Sequence, residues 1–412
     1  MQQNTNKSTQ LFRRGFGLKN EVVGTLEQEY SSKLVEFLKQ HDNTMELGRF
    51  TIHIAEEFGF CYGVDRAIEY AYQTRKQFPD KRIFLTGELI HNPHVNRKMV
   101  EMGIKFLSGS YAEKDTLDSL TAEDVVVLPA FGVAVDELKR FKEIGCILVD
   151  TTCGSVLNVW KRVQNYARDG FTSIIHGKWN HEETRATSSQ TQNYPESHFI
   201  VVLDMQEAEM VCDYIAGNGD KAQLLDHFKN AISPNFDPDV HLERLGCANQ
   251  TTMLSGESLA IAERIGRAMR EKYGEENLAT HFRSFDTICS ATQDRQDAIE
   301  KMLNEYPIDV MIVIGGYNSS NTTHLVEISE QKTSAYHIDD ASCLFSVEEL
   351  QHKPVTSREV VTKKNWLPDG EVVIGITAGA STPNVKIGEI VARLAQLQNL
   401  SIDELLGELS LA

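Results

Sequence analysis

Apolar positions along this chain gather in short runs. Residues 83–85, 124–128, 146–149, 173–175, 199–203, 309–314 and 371–376 are each strand-sized, and each leads through a small or polar turn into a helical stretch. Strands alternating with helices predict parallel sheets covered by helices on both faces, an α/β fold. In such sheets ligands bind beyond the carboxyl ends of the strands, so the residues just after each run matter most. Residues 1–50 read differently. They are polar, with an amphipathic helix predicted around residues 28–40, and the strand–helix alternation begins at about residue 51.

A short internal echo refines this picture. Asp150-Thr151-Thr152-Cys153-Gly154-Ser155 and Asp286-Thr287-Ile288-Cys289-Ser290-Ala291 share Asp-Thr-X-Cys followed by two small residues. Phe58-Gly59-Phe60-Cys61-Tyr62-Gly63 sets a third cysteine at a similar junction. Three similar α/β units, each presenting one cysteine at a strand-to-helix turn, would suit a central three-thiolate site. The expected division is an N-terminal extension over 1–50, α/β units over 51–152 and 153–288, and a third unit with a C-terminal tail over 289–412.

Composition narrows the classes. With 412 residues and 41% hydrophobic content, the chain can bury several cores, in about two to four domains. Its longest apolar runs, 125–134 and 310–316, fall short of the ~20 residues a membrane helix needs. The start, Met1-Gln2-Gln3-Asn4-Thr5, has no apolar signal region and is not Arg- and Ser-rich, so a cytoplasmic location is expected. A net charge of −18 argues against nucleic-acid or anionic-membrane partners. A small anionic substrate is still compatible with a locally donor-rich site. Seven cysteines in a chain this long are not a disulfide framework but buried thiols, catalytic thiols or metal ligands.

Three groups of residues could carry chemistry. Cys61, Cys153 and Cys289 could hold an iron–sulfur cubane whose fourth iron is open to substrate oxygen. Spacing alone equally allows three buried cysteines, the reading expected for Cys146, Cys212, Cys247 and Cys343. Secondly, the loops Gly315-Gly316-Tyr317-Asn318-Ser319-Ser320-Asn321-Thr322-Thr323 and Thr377-Ala378-Gly379-Ala380-Ser381-Thr382-Pro383 follow apolar runs. Backbone amides and Ser/Asn side chains there can hold phosphate, although neither loop is a Walker P-loop and either could be an ordinary N-cap. Together they favour a phosphorylated ligand. Thirdly, His91 lies in Glu88-Leu89-Ile90-His91-Asn92-Pro93-His94, and His181 and Glu183 lie in Lys178-Trp179-Asn180-His181-Glu182-Glu183-Thr184. A carboxyl beside a reducing centre can deliver a proton to a leaving oxygen. A lone histidine is as readily a satisfied structural residue.

Taken in order, residues 59–68 (GFCYGVDRAI), 88–92, 150–153, 181–187, 249–252 (NQTT), 289–296 (CSATQDRQ), 318–321 (NSSN) and 377–383 (TAGASTP) resemble the 4-hydroxy-3-methylbut-2-enyl diphosphate reductase family. No single segment is decisive; the ordered series, from about 51 to 390, is specific. The resemblance implies a trefoil of three similar α/β units with parallel sheets around a central 4Fe-4S cluster, held by Cys61, Cys153 and Cys289 with one iron open. It implies reductive dehydroxylation of the allylic diphosphate to isopentenyl and dimethylallyl diphosphates, the last step of the methylerythritol phosphate route to isoprenoids. Glu183 matches the family's proton donor and Thr251 its relay. His91, His181, Ser319, Ser320, Asn321 and Ser381 match its diphosphate shell, and Thr292 falls in a pocket motif. Electrons would come from a ferredoxin- or flavodoxin-type protein.

Three departures stand out. Residues 1–50, with Phe12-Arg13-Arg14-Gly15-Phe16-Gly17, resemble the longer form found in cyanobacteria and plants. Phe131 replaces a diphosphate-binding histidine, as in that longer form. Gly154 stands where the family usually has proline, which bears on the local turn. Two rival readings use the same residues: a hydrolase with mononuclear zinc and Glu183 as base, or a non-enzymatic sensor of a phosphorylated metabolite.

Overall fold

The seven apolar runs become the strands Ile83–Leu85, Val125–Leu128, Ile147–Asp150, Thr172–His176, Phe199–Val202, Val310–Ile314 and Val372–Ala378 in the computed structural model. It describes residues 10–112 and 117–402, so the segment Met1-Gln2-Gln3-Asn4-Thr5 lies outside the described residues. Val125–Leu128 and Val310–Ile314 are buried along their whole length. Strands covered on both faces need apolar side chains on both, which is why these runs are continuous and do not alternate.

Among the described residues the strands gather into three sheets of mainly parallel strands, in keeping with the α/β expectation. The first is all-parallel, in the order Leu11–Phe12, Ile147–Asp150, Val125–Leu128, Ile83–Leu85, Ile104–Phe106. The second is also all-parallel: Phe282–Ser284, Leu245–Asn249, Thr172–His176, Phe199–Val202. The third runs Ser334–Ile338, Val310–Ile314, Val372–Ala378, Phe50–Ile54, with Thr44–Leu47 antiparallel at its edge. A separate hairpin pairs Glu349–His352 with Val361–Lys364. The first two sheets belong to one compact unit, made of residues up to 15, 74–89 and 102–289. The third sheet and the hairpin belong to a second unit, made of 16–73, 90–101 and 290 onward.

This division corrects the linear boundaries 1–50, 51–152, 153–288 and 289–412. Phe50–Ile54 does not join the sheet of the residues that follow it but pairs with Val372–Ala378. Burial of Ile52 and Ile54 among Ile312, Ile314, Ile374 and Ile376 drives this long-range pairing. Nor is 1–50 a separate extension. Leu11–Phe12 adds a strand to the first sheet, and Leu34, Val35 and Leu38 enter the core of the third.

The helix expected over 28–40 is in fact two, Lys19–Tyr30 and Lys33–Gln40. Ser32 causes the break. Its backbone is extended, and its hydroxyl accepts from the Val35 amide at 3.4 Å, starting a new helix as an N-cap.

The helix Gly154–Arg168 leaves the first sheet and packs on the second. There the Tyr166 ring lies on Gly246, and its hydroxyl donates to the Cys247 carbonyl at 2.9 Å. A Cβ added at Gly246 would meet that ring at 2.5–2.6 Å. Gly246→Ala is therefore expected to destabilise the protein by roughly 1–3 kcal/mol through overpacking, read as a lower urea midpoint.

Candidate functional site

Each site residue named from the sequence lies between the carboxyl end of a parallel strand and the first turn of the helix that follows it, where open α/β sheets place their ligands. They fall into two sets, one in each compact unit.

In the second unit, Val310–Ile314 and Val372–Ala378 are neighbours, so the loops that follow them lie side by side. Ser319 caps the helix Ser320–Glu330, its Oγ accepting from the Thr322 amide at 3.3 Å and from the Thr322 hydroxyl at 3.0 Å. Asn321 reaches across to the other loop, and its Oδ1 accepts from the Ala380 amide at 2.9 Å. That bond fixes the amide orientation and leaves Asn321 Nδ2 buried with no hydrogen-bond partner among the described residues. A buried amide N–H₂ without an acceptor costs about 1–3 kcal/mol, so this donor is suited to an anionic ligand oxygen.

Ser381 Oγ donates to the His91 carbonyl at 3.1 Å, and Asn318 Nδ2 lies 3.3 Å from His91 Nδ1. The His91 carbonyl also presses on Gly316, where no Cβ would fit. The His91 turn, both loops and their serines thus form one donor-rich surface. Cys61 joins it through the backbone, its amide donating to the Ala380 carbonyl at 3.1 Å. Ser320 and Thr292 are buried, the first opening Ser320–Glu330 and the second on Ser290–Glu305.

In the first unit, Glu183 is only 3% exposed. It lies in the helix Glu182–Ser188, which His181 caps by accepting the Glu183 amide on Nδ1 at 3.1 Å. A neutral imidazole accepting on Nδ1 carries its proton on Nε2, which makes His181 a donor on that side. Thr251 gives both of its donors to Glu183. Its amide lies 2.6 Å from Oε1 and its hydroxyl 2.9 Å from Oε2. The Thr251 carbonyl in turn accepts from the Cys289 amide at 3.4 Å. Thr251 therefore ties the carboxyl to the cysteine turn. The segment is braced by Asn249 Oδ1, which accepts from the Thr287 hydroxyl at 2.5 Å.

Cys153 is the N-cap of Gly154–Arg168, its amide donating to the Ala130 carbonyl at 2.7 Å. Gly154 takes the first helical position with nothing near its missing Cβ. The turn forms without the usual proline, whose role at that position is only to pre-set a helical φ. Phe131 is buried and meets His181 edge-on, with ring centroids 6.3 Å apart. Its ring contributes an apolar wall against that histidine.

The seven cysteines are in no disulfide and divide into two chemical classes. Burial pushes the thiols of Cys146 and Cys212 up to about 11 and raises those of Cys247 and Cys343 as well. Those four stay protonated and make poor ligands. Cys61, Cys153 and Cys289 are half-buried and stand at the N-terminal ends of Tyr62–Gln77, Gly154–Arg168 and Ser290–Glu305. Three accessible sulfur side chains at strand-to-helix turns are the soft donor set that a sulfur-ligated iron centre needs.

Two residues in these segments were not singled out from the sequence. Buried Gln250 accepts on Oε1 from the Thr184 hydroxyl at 3.0 Å and the Lys178 amide at 3.2 Å, holding the Glu183 helix to the Thr251 turn. Buried Arg295 donates to the Gly59 carbonyl at 2.6 Å and the Ala291 carbonyl at 2.7 Å, bracing the turn before Cys61. The available signal was a polar side chain inside a motif otherwise accounted for.

Residues 52–395 match the LytB protein family. A 4-hydroxy-3-methylbut-2-enyl diphosphate reductase from Gloeobacter violaceus is 47% identical over 409 residues, covering 98% of this chain and 96% of that one. The enzyme of the same name from a Cyanothece species is 46% identical over 395 residues, covering 96% of each. Among solved structures, the E-1-hydroxy-2-methyl-but-2-enyl-4-diphosphate reductase from Plasmodium falciparum shares the fold. It aligns with a TM-score of 0.59 at 22% identity, over 82% of this chain and 86% of that one.

Proposed function

Because this chain belongs to the LytB protein family, we propose that it carries out the reductive dehydroxylation of 4-hydroxy-3-methylbut-2-enyl diphosphate. Two electrons and two protons enter, the hydroxyl leaves as water, and isopentenyl and dimethylallyl diphosphates result, as the last step of the methylerythritol phosphate route. The observation that carries this reading is the position of Thr251, with both donors on the Glu183 carboxyl and its carbonyl on the Cys289 amide.

Cys61, Cys153 and Cys289 would hold a 4Fe-4S cluster with one iron left without a protein ligand, which would pass electrons on and offer a Lewis-acid site for the substrate oxygen. The protein's own residues do the rest. Glu183 is the proton donor, held out of water by burial. The Thr251 hydroxyl can rotate to pass a proton to or from the Glu183 oxygen that it touches. His91, His181, Ser319, Ser320, Asn321 and Ser381 hold the diphosphate, and Thr292 lines the pocket. Electrons come from a small ferredoxin or flavodoxin, and the enzyme acts in the cytoplasm without nucleic-acid or membrane partners. No helix among the described residues is long and apolar enough to cross a membrane.

Anaerobic incubation of the purified chain with the allylic diphosphate and a chemical reductant tests this reading. Both five-carbon diphosphates should appear. Release of phosphate without reduced product would favour the zinc hydrolase, and tight binding without turnover would favour the sensor.

The diphosphate shell makes a graded prediction. A hydrogen bond to a charged group is worth ~1.5–3 kcal/mol, so His91→Ala should weaken substrate binding by roughly tenfold to a hundredfold. Asn321→Asp keeps the acceptor for the Ala380 amide but replaces the orphan donor with an anion, so it should weaken binding at least as much while leaving the melting temperature near that of the parent. Phe131→Leu should cost less than either, because it only loosens packing against His181. Anaerobic titrations of the three variants rank them. A Phe131→Leu loss equal to that of His91→Ala would place the ring in the ligand site itself.

A further inference from the structure

The chemistry proposed above makes no use of one sizeable cavity beside the Cys153 turn. It lies in the first unit, about 350 Å³ in volume, with a floor that includes Val133, Leu138, Leu157 and Trp160. Its rim carries Arg13, Lys139, Lys142 and Lys161 against a single carboxylate, Asp150. Arg13 sits on that carboxylate at 3.3 Å, so the exposed Lys139 and Lys161 set the sign of the field. Such a positive rim is local on a chain of net charge −18. Lys139 and Lys161 are exposed, and Leu157 is 40% exposed although apolar. An apolar centre ringed by like charges is the anatomy of a protein-binding patch.

The location gives the patch a purpose. Leu157, Trp160 and Lys161 lie on the helix that Cys153 caps, and Thr152, next to Cys153, lines the cavity. Lys161 is eight residues into that helix, roughly 12 Å along its axis. Arg13 comes from the N-terminal segment that the parallel pairing of Leu11–Phe12 with Leu148 and Val149 holds in place.

We propose that this face is where an acidic one-electron carrier protein docks to reduce the enzyme through the Cys153 side. The inference rests on the reductive reading given above. Each docking oxidises one carrier by one electron and reduces the enzyme by one. Two dockings supply the pair that, with two protons, releases the substrate hydroxyl as water. Basic rim residues steer a carboxylate-rich partner, and the apolar floor supplies the contact once water is expelled.

The test uses the full chain, purified anaerobically, and an acidic [2Fe-2S] ferredoxin as the probe. Calorimetric titration at low salt should show binding that weakens as salt is added. The pair Lys139→Glu and Lys161→Glu should weaken it by about tenfold or more, since each reversal removes one attraction and adds one repulsion. The control pair Lys229→Glu and Lys272→Glu makes the same change in net charge at exposed positions, one in the turn after Lys221–His227 and one on Ser255–Tyr273, and should leave binding unchanged. Turnover driven by a small chemical reductant should be the same in all three proteins. If the parent does not bind ferredoxin, or the rim and control pairs weaken it equally, the proposal is overturned. Loss of chemically driven turnover in the parent would instead overturn the reductive reading, and the two failures are read separately.

Discussion

Replacing Cys61, Cys153 or Cys289 with serine is expected to strip the protein of its cluster and abolish reductive turnover. Serine keeps the size of the side chain, but its hydroxyl stays protonated and is a hard ligand, whereas iron–sulfur clusters need soft thiolate. Each of the three stands at a helix N-terminus, so the substitution costs the fold little. Cys343→Ser is the internal control. Cys343 is buried, with its thiol raised by burial and its Sγ 3.4 Å from Asp339 Oδ1, so its loss should leave the cluster intact. Visible absorption of anaerobically purified variants reads the outcome. Full cluster absorption in all three site variants would show that the ligands lie elsewhere.

Glu183→Gln is expected to keep the cluster and bind substrate while losing turnover by ~10²–10⁴-fold, the usual worth of a general acid. The geometry makes this a clean substitution. Glutamine Oε1 can still accept the Thr251 amide, and its Nε2 can donate to the Thr251 hydroxyl, which turns to receive it. Neither bond is lost; only the acidic proton is. Thr251→Val should reproduce part of the loss by removing the hydroxyl while retaining the amide bond. Single-turnover reduction, followed beside substrate titration, separates the chemical step from binding. Near-parent turnover in Glu183→Gln would move the proton donor to another residue.

Much of this was legible along the chain because doubly covered parallel strands announce themselves. Val310–Ile314 and Val125–Leu128 are apolar at every position, so their place and type could be read directly. The loops that follow were also legible, since small and polar residues after such runs have few other uses. Pairing was not. Phe50–Ile54 carries no mark of its partner Val372–Ala378, and only the burial of Ile52 and Ile54 in that sheet decides it. Phe282–Ser284, the strand before Cys289, was invisible for a different reason. It is a short edge strand with no buried residue, so its polarity hides it. The break between Lys19–Tyr30 and Lys33–Gln40 was hidden because the N-cap at Ser32 interrupts an otherwise continuous amphipathic pattern. At the site, cysteines and histidines were legible as chemistry, whereas Gln250 and Arg295 act by bracing neighbouring turns, which no pattern exposes.

On the proposed function, this chain carries an iron–sulfur cluster on three thiolates. Elemental analysis of the full chain, purified without oxygen and assayed for iron, acid-labile sulfide and zinc in one sample, tests it most directly. Iron and sulfide in equal amounts, with only traces of zinc, is the result predicted. Zinc bound at one ion per chain without sulfide would contradict it, and would return Glu183 to the role of a hydrolytic base.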